Sequence, residues 1–268
     1  MDRTVVTSGA TISYTAEGSA GAPPLLLINS IAATRDMWTR QLQAFASRFR
    51  VIRYDARGHG RSSVPGGDYS LEQLGRDALA ILDQEGLASA NVCGISLGGL
   101  TAMWLGVNAP TRARSLVLSN TAARIGTVAS WSERMTLVRE QGMSAVAELT
   151  IPRWFSPEFR ERDPETVHAF RAMIQSTPPE GYLGCCAALR DADLREAIGA
   201  IACPVLAVAG SGDPATTPEG LHFIHERIPG SSLVTLDTAH LSNVERASEF
   251  TAAVFGFLGA TNTSSQGS

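Results

Sequence analysis

Ser96 lies between Gly94 and Gly98 in the run Cys93-Gly94-Ile95-Ser96-Leu97-Gly98-Gly99, a G-x-S-x-G pattern. A serine hydroxyl is a poor nucleophile until a base takes its proton and a further group orients that base. The flanks give the pattern its weight. Residues 90–93 form a short apolar run suited to a buried strand, and residues 100–107 have helical character ending before Pro110. Strand, tight turn and helix would hold Ser96 in a strained corner with its hydroxyl above a sheet. Gly94 and Gly98 lack the Cβ that would keep neighbouring backbone away. The bland alternative is a glycine-rich turn with a bystander serine.

The chain has five histidines. His240 follows an apolar run and falls on a loop, where a base for Ser96 would stand. His59, also on a strand-following loop, is the second candidate, whereas His168, His222 and His225 fall in helical segments. For the orienting acid, Asp213 follows the strand-like residues 205–209, while Asp237 is too near His240 in sequence and reads as a loop aspartate. A serine, an aspartate and a histidine, each placed after its own strand, make a triad of the acyl-transfer kind. Such a triad also needs donors for the developing oxyanion. The Leu97 N–H at a helix start is one candidate, and the Ile31 N–H in the loop after residues 25–28 is the other. Asn29 and Ser30 in that loop either offer side-chain donors to the pocket floor or stabilise the turn.

The elements that must carry these residues alternate. Residues 3–7 and 11–16 read as an antiparallel hairpin, and Leu25-Leu26-Leu27-Ile28 as a doubly covered central strand. Trp38, Leu42, Phe45 and Phe49 recur at helical spacing, as do Leu71, Leu74, Ala78, Ile81 and Leu82. Strands are expected at 51–54, 90–93, 115–118, 205–209 and 232–236, with helices near 218–227 and 248–258. This rhythm predicts an α/β protein with a mostly parallel sheet and helices on both faces. From Asn120 to about Ala200 the alternation gives way to helical pattern broken by Pro152, Pro157, Pro164, Pro178 and Pro179. That block is expected to be a helical cap inserted over the strand ends where ligands bind. The domain reading is a core of 1–119 and 201–260, a cap of 120–200, and a flexible tail of 261–268.

Composition narrows the classes of function. Over 268 residues, 44% hydrophobic and 18% charged content fits one soluble globular α/β domain. A net charge of −4 offers no field for nucleic acid or an anionic membrane. All 22 basic residues are arginine, which excludes Schiff-base and lysine-nucleophile chemistry. No apolar leader or membrane-spanning run is present, so a cytoplasmic location is expected. None of the four cysteines forms C-x-x-C, and reduced thiols with no metal site are expected.

With these residues in place, the chain resembles the α/β-hydrolase superfamily and, within it, the 3-oxoadipate enol-lactonases of bacterial aromatic catabolism. The superfamily resemblance rests on residues 53–62, the turn at Ser96, Asp213 and His240, in the chain order serine, aspartate, histidine. The narrower one rests on residues 28–31, 93–99, 120–127, 153–155, 177–182, 184–193 and 237–245. Asn29-Ser30 stands where many hydrolases of this fold carry His-Gly, but the oxyanion contact there is made by backbone.

The resemblance implies a small anionic substrate, a five-membered enol-lactone bearing an acetate arm, opened by water without any cofactor. Its carboxylate needs a cation in the cap. Arg134 is the first candidate and Arg153 the second, with Arg124 and Arg190 behind them. Trp131 and Trp154 are either pocket walls or cap packing. The rival readings are another carboxylesterase, a C–C bond hydrolase, or a non-catalytic binding protein of the same fold. Dehalogenase and epoxide-hydrolase chemistry in this fold uses an aspartate where Ser96 stands. Oligomeric state leaves no trace in the sequence.

Overall fold

The computed structural model describes residues 2–264. An opening hairpin, β1 (Arg3–Thr7) and β2 (Ala10–Glu17), is followed by β3 (Pro24–Ile28), α1 (Thr39–Ala46), β4 (Arg50–Tyr54), α2 (Leu71–Gln84), β5 (Ala90–Ile95), α3 (Leu97–Asn108) and β6 (Ala113–Ser119). Four helices come next: α4 (Val128–Trp154), α5 (Pro157–Arg162), α6 (Pro164–Gln175) and α7 (Pro179–Asp191). The alternation then resumes with β7 (Val205–Gly210), α8 (Pro218–Arg227), β8 (Ser232–Leu236), α9 (Ser242–Glu245) and α10 (Ala247–Ser264).

The strands form one eight-stranded sheet in the order β1-β2-β4-β3-β5-β6-β7-β8. β1 and β2 run antiparallel at one edge, and every pairing from β4 to β8 is parallel. β3, β5 and β7 are buried along their whole length, as their largely apolar runs require between two helical layers. Asn91 is the polar exception inside β5. Its amide donates to the Pro24 carbonyl at 3.2 Å and accepts from the Ser115 hydroxyl at 2.8 Å, so its burial leaves nothing unpaired. α2 begins with a reciprocal cap between Ser70 and Gln73 and buries the apolar face read from its sequence.

The segment between β6 and β7 contains helices and no strand among its residues. α4 is interrupted at Gly142, whose φ of 72° no helix tolerates, so the chain doubles back there. Trp154, Phe155, Phe159 and Phe170 close an aromatic core of the insertion, with Phe155 and Phe159 stacked at 5.1 Å. α7 lies hard against the loop after β4. A Cβ on Gly181 would come within 2.4 Å of the Gly58 Cα, so two glycines face each other at that seam. The four cysteines are unbridged, and Cys93, Cys185 and Cys186 are buried.

Two helix ends differ from the sequence pattern. α1 stops at Ala46, although Phe49 stays buried one turn further on, with its N–H on the Phe45 carbonyl at 2.8 Å. α10 runs to Ser264 instead of ending at Leu258, because extending an existing helix is cheap and no proline stops it. Thus 261–264, expected in a flexible tail, are helical; the remaining tail residues, 265–268, lie outside the described residues. No helix among the described residues is long and apolar enough to cross a membrane.

Candidate active site

Ser96 sits at the corner between β5 and α3 with φ 58° and ψ −118°, a left-handed conformation costly for any side chain other than glycine. The corner is held from all sides. Ser96 N–H donates to the Ser119 carbonyl at 3.1 Å, and its own carbonyl accepts from Leu100 N–H at 3.0 Å and from the Thr121 hydroxyl at 2.8 Å. The flanking glycines are steric necessities: a Cβ on Gly94 would lie 2.2 Å from the Gly98 carbonyl oxygen, and one on Gly98 2.3 Å from that of Ile28.

His240 and Asp213 meet across the ends of β7 and β8. His240 Nδ1 stands 2.8 Å from Asp213 Oδ2, and both side chains are buried. The other oxygen, Oδ1, accepts from Ala215 N–H at 2.8 Å and Thr216 N–H at 3.0 Å. Oδ2 also accepts from the Asn120 amide at 3.0 Å and the Thr216 hydroxyl at 2.8 Å. Burial alone would raise this carboxyl's pKa. The His240 ring and the Thr216 and Asn120 donors outweigh burial and hold it down at about 2. Asp213 is therefore a carboxylate throughout the neutral range, which fixes the proton of His240 on Nδ1 and leaves Nε2 as a base.

The two rival residues have other work. His59 Nε2 accepts the Ala32 N–H at 3.0 Å, and its Nδ1 faces the Arg57 carbonyl at 3.2 Å, so the ring carries its proton on Nδ1 and pins the loop after β3. Burial holds its pKa below the usual histidine value. Asp237 is exposed, 3.6 Å from the Arg246 guanidinium.

A cleft opens over Ser96. Ser30, Ile31, Ser96 and His240 line its floor, while Trp131, Arg134, Arg153 and Trp154 line it from the insertion. Leu97 is the first residue of α3, where a backbone N–H has no partner within its own helix. Asn29 is a correction to the sequence reading: it is not among the cleft residues. Its amide donates to the Tyr54 carbonyl at 2.7 Å and accepts the Trp38 indole N–H at 2.9 Å, so both ends tie β3 to its neighbours. Trp131 lines the cleft with its indole N–H spent on the Ile125 carbonyl at 2.6 Å, and Trp154 packs edge-on to Phe170 while also facing the cleft.

The four candidate arginines separate cleanly. Arg124 pairs with Asp193 and Arg190 with Asp68 and Asp191, away from the cleft. Arg134 donates to the Thr150 hydroxyl (3.2 Å) and lies beside the Tyr182 hydroxyl, and Arg153 donates to the Pro214 carbonyl (3.4 Å); among the described residues neither is paired with a carboxylate.

Sequence reasoning missed Asn120, Thr216 and Glu245. Thr216 had a legible signal, since an aspartate commonly accepts the N–H groups two and three residues on. Asn120 and Glu245 had none that local pattern carries. Glu245 is buried and accepts the Ala239 N–H at 3.1 Å, while Ser156 of the insertion donates its hydroxyl to the other carboxylate oxygen. On the far side of His240, Leu241 N–H donates to the Trp154 carbonyl at 3.1 Å. His240 is thus bracketed by two contacts, one direct and one through Glu245, that reach the insertion. Replacing Glu245 with alanine frees one bracket, and misplacement of a catalytic group by about 1 Å can cost on the order of a hundredfold. We expect Glu245→Ala to lower kcat by about ten- to a hundredfold with KM nearly unchanged; steady-state kinetics on the folded variant would reject this role if only stability moved.

A family model described as the alpha/beta hydrolase fold matches residues 23–247. Two proteins of Acinetobacter baylyi are similar over nearly their whole length. 3-Oxoadipate enol-lactonase 2 is 41% identical, over 94% of each chain, and 3-oxoadipate enol-lactonase 1 is 37% identical, over 93% of this chain and 94% of that one. The crystal structure of the enol-lactonase from Burkholderia xenovorans LB400 superposes with a TM-score of 0.94 at 39% identity, covering 96% of this chain and all of that one. With the sheet order, the inserted helices and these likenesses together, the chain belongs to the α/β-hydrolase superfamily and, within it, to the family of the 3-oxoadipate enol-lactonases.

Proposed function

We propose that the protein opens 3-oxoadipate enol-lactone with water to give 3-oxoadipate, through an acyl-enzyme on Ser96 with His240 as base and Asp213 as its orienting acid. The observation that carries the reading is the presence of two guanidinium groups, those of Arg134 and Arg153, that have no carboxylate partner among the described residues and line the same cleft as Ser96 and His240. A cleft that opens a neutral ester has no need of them. In this reading residues 120–200 act as the cap, and Trp131 and Trp154 are walls of its pocket.

The geometry supports the following course. The Ser96 hydroxyl attacks the lactone carbonyl as His240 Nε2 takes its proton, and the Ile31 and Leu97 N–H groups meet the oxyanion. Collapse breaks the bond to the ring oxygen. That oxygen leaves as an enolate, a better leaving group than an alkoxide; the enolate becomes the ketone by taking a proton at carbon, and the proton that His240 gives up, directly or through solvent, balances it and returns the imidazole to its neutral form. Water, deprotonated by His240, then attacks the acyl-enzyme and releases the new carboxylate and the Ser96 hydroxyl.

A charge-assisted contact to the substrate's free carboxylate contributes roughly 1.5–3 kcal/mol, about ten- to a hundredfold in kcat/KM. The carboxymethyl enol-lactone is therefore expected to react that much faster than the same ring bearing a neutral methyl group. Arg134→Ala, and to a smaller degree Arg153→Ala, removes most of the preference while the neutral lactone reacts as before. Equal kcat/KM values for the two lactones on the unaltered protein would sink carboxylate recognition and the substrate assignment with it.

A further inference from the structure

Ser30 stands between Asn29 and the proposed oxyanion donor Ile31. It is 3% exposed, lines the cleft beside Ser96, and its hydroxyl has no hydrogen-bond partner. Three other buried side-chain polar atoms among the described residues share that condition, on Arg53, Arg160 and Asn243, and none of those residues lines the cleft. A buried hydroxyl without a partner is destabilising, and folded proteins keep few of them. One that persists beside a nucleophile is explained if a ligand completes it.

The loop around Ser30 has little room to adjust. Asn29 is tied at both ends of its amide, the Ser30 carbonyl accepts the Ala33 N–H at 3.2 Å, and Ala32, in a left-handed conformation at φ 61°, is held by His59. Beneath it, the Ile28 and Asn29 carbonyls press on Gly98 so closely that a Cβ there would lie 2.3 Å and 2.8 Å from them. Donors fixed before the reaction stabilise developing charge without reorganising, and the loop that carries this hydroxyl is held by the bonds just named. Four covalent bonds separate a serine Oγ from the next residue's nitrogen, a span across which two donors can share one acceptor.

We propose that the Ser30 hydroxyl is a third donor of the oxyanion hole, joining the Ile31 and Leu97 N–H groups on the carbonyl oxygen of a bound lactone or ester as it becomes a tetrahedral anion. It donates a hydrogen bond and transfers no proton. The inference rests on the serine-hydrolase reading above, and it holds for any acyl substrate the nucleophile attacks.

The test is Ser30→Ala in the full chain, melted thermally and assayed on both the enol-lactone and p-nitrophenyl acetate. Removing an orphaned hydroxyl is expected to raise the melting temperature by about 2 °C or more. Removing a donor that acts in the transition state is expected to lower kcat by about ten- to a hundredfold on both substrates, with KM little changed. Stability up and turnover down is a pairing that a merely structural hydroxyl does not produce. A lower melting temperature would mean that the hydroxyl has a structural partner, and it would overturn the proposal. So would an unchanged kcat, or a loss confined to KM. Should the unaltered protein hydrolyse the activated ester but not the enol-lactone, the substrate assignment fails alone, and the comparison on the ester still decides the role of Ser30.

Discussion

Ser96→Ala is expected to fold as the unaltered protein does and to lose hydrolysis of the enol-lactone and of simple esters by about 10⁴-fold or more. The loss is chemical. The corner that presents Ser96 is built by backbone bonds to Ser119, Leu100 and Thr121 and by the glycines at 94 and 98, none of which needs the hydroxyl. Circular dichroism and a melting curve should therefore overlay those of the unaltered protein while single-turnover acylation disappears. His240→Ala is expected to match it, because no other imidazole lines the cleft. His59→Ala separates the two candidate bases. Its ring acts on the Ala32 N–H, so its loss is expected to loosen the loop after β3 while leaving His240, the proposed proton acceptor, in place. Wild-type turnover in Ser96→Ala would end the acyl-enzyme mechanism.

The second large effect is expected at Asp213. Asp213→Asn preserves the shape and one acceptor, but its amide nitrogen can meet His240 Nδ1 only by donating, which moves the imidazole proton to Nε2 and removes the base. A fall in kcat of about 10³- to 10⁴-fold is expected. The same carboxyl leaves a mark on stability. Its pKa in the folded protein is lowered from 3.8 to about 2. A group lowered in this way stabilises the fold above its unfolded pKa, and the stabilisation is lost as pH falls through the folded one. For a side chain this buried the contribution is of the order of 2 kcal/mol at neutral pH. The stability gap between the unaltered protein and Asp213→Asn should hold from neutrality down to about pH 4 and close towards pH 2. Urea titrations across that range measure it; a gap independent of pH would mean that the Asp213 carboxylate contributes nothing through its charge.

The sheet was legible because its signals are local. Leu25-Leu26-Leu27-Ile28 can only be a covered strand in this setting, and the turn at Ser96 announces itself through glycines that the backbone contacts require. Asp213 and His240 were legible because each follows a strand, and parallel strands bring their ends to one edge. Ion pairing was not legible. Arg124, Arg134, Arg153 and Arg190 look alike along the chain, and only folding brings Asp193 to the first and Asp68 to the last. Asn29 was misplaced for the same reason, since its partners Tyr54 and Trp38 lie on other elements. Glu245 is the clearest case, because its carboxylate joins the loop of His240 to Ser156, 89 positions earlier in the chain.

That bracket bears on how such enzymes diversify. Exchanging the inserted helices between relatives is an attractive way to obtain new specificities, as if pocket and catalytic machinery were separate modules. Here the insertion contributes the Ser156 hydroxyl and the Trp154 carbonyl that hold the residues on either side of His240. A transplanted insertion that shifts either group brings a new pocket and a displaced base together. Productive crossover points should therefore carry residues 237–245 along with the helices, so that the two halves of the bracket are inherited as one piece.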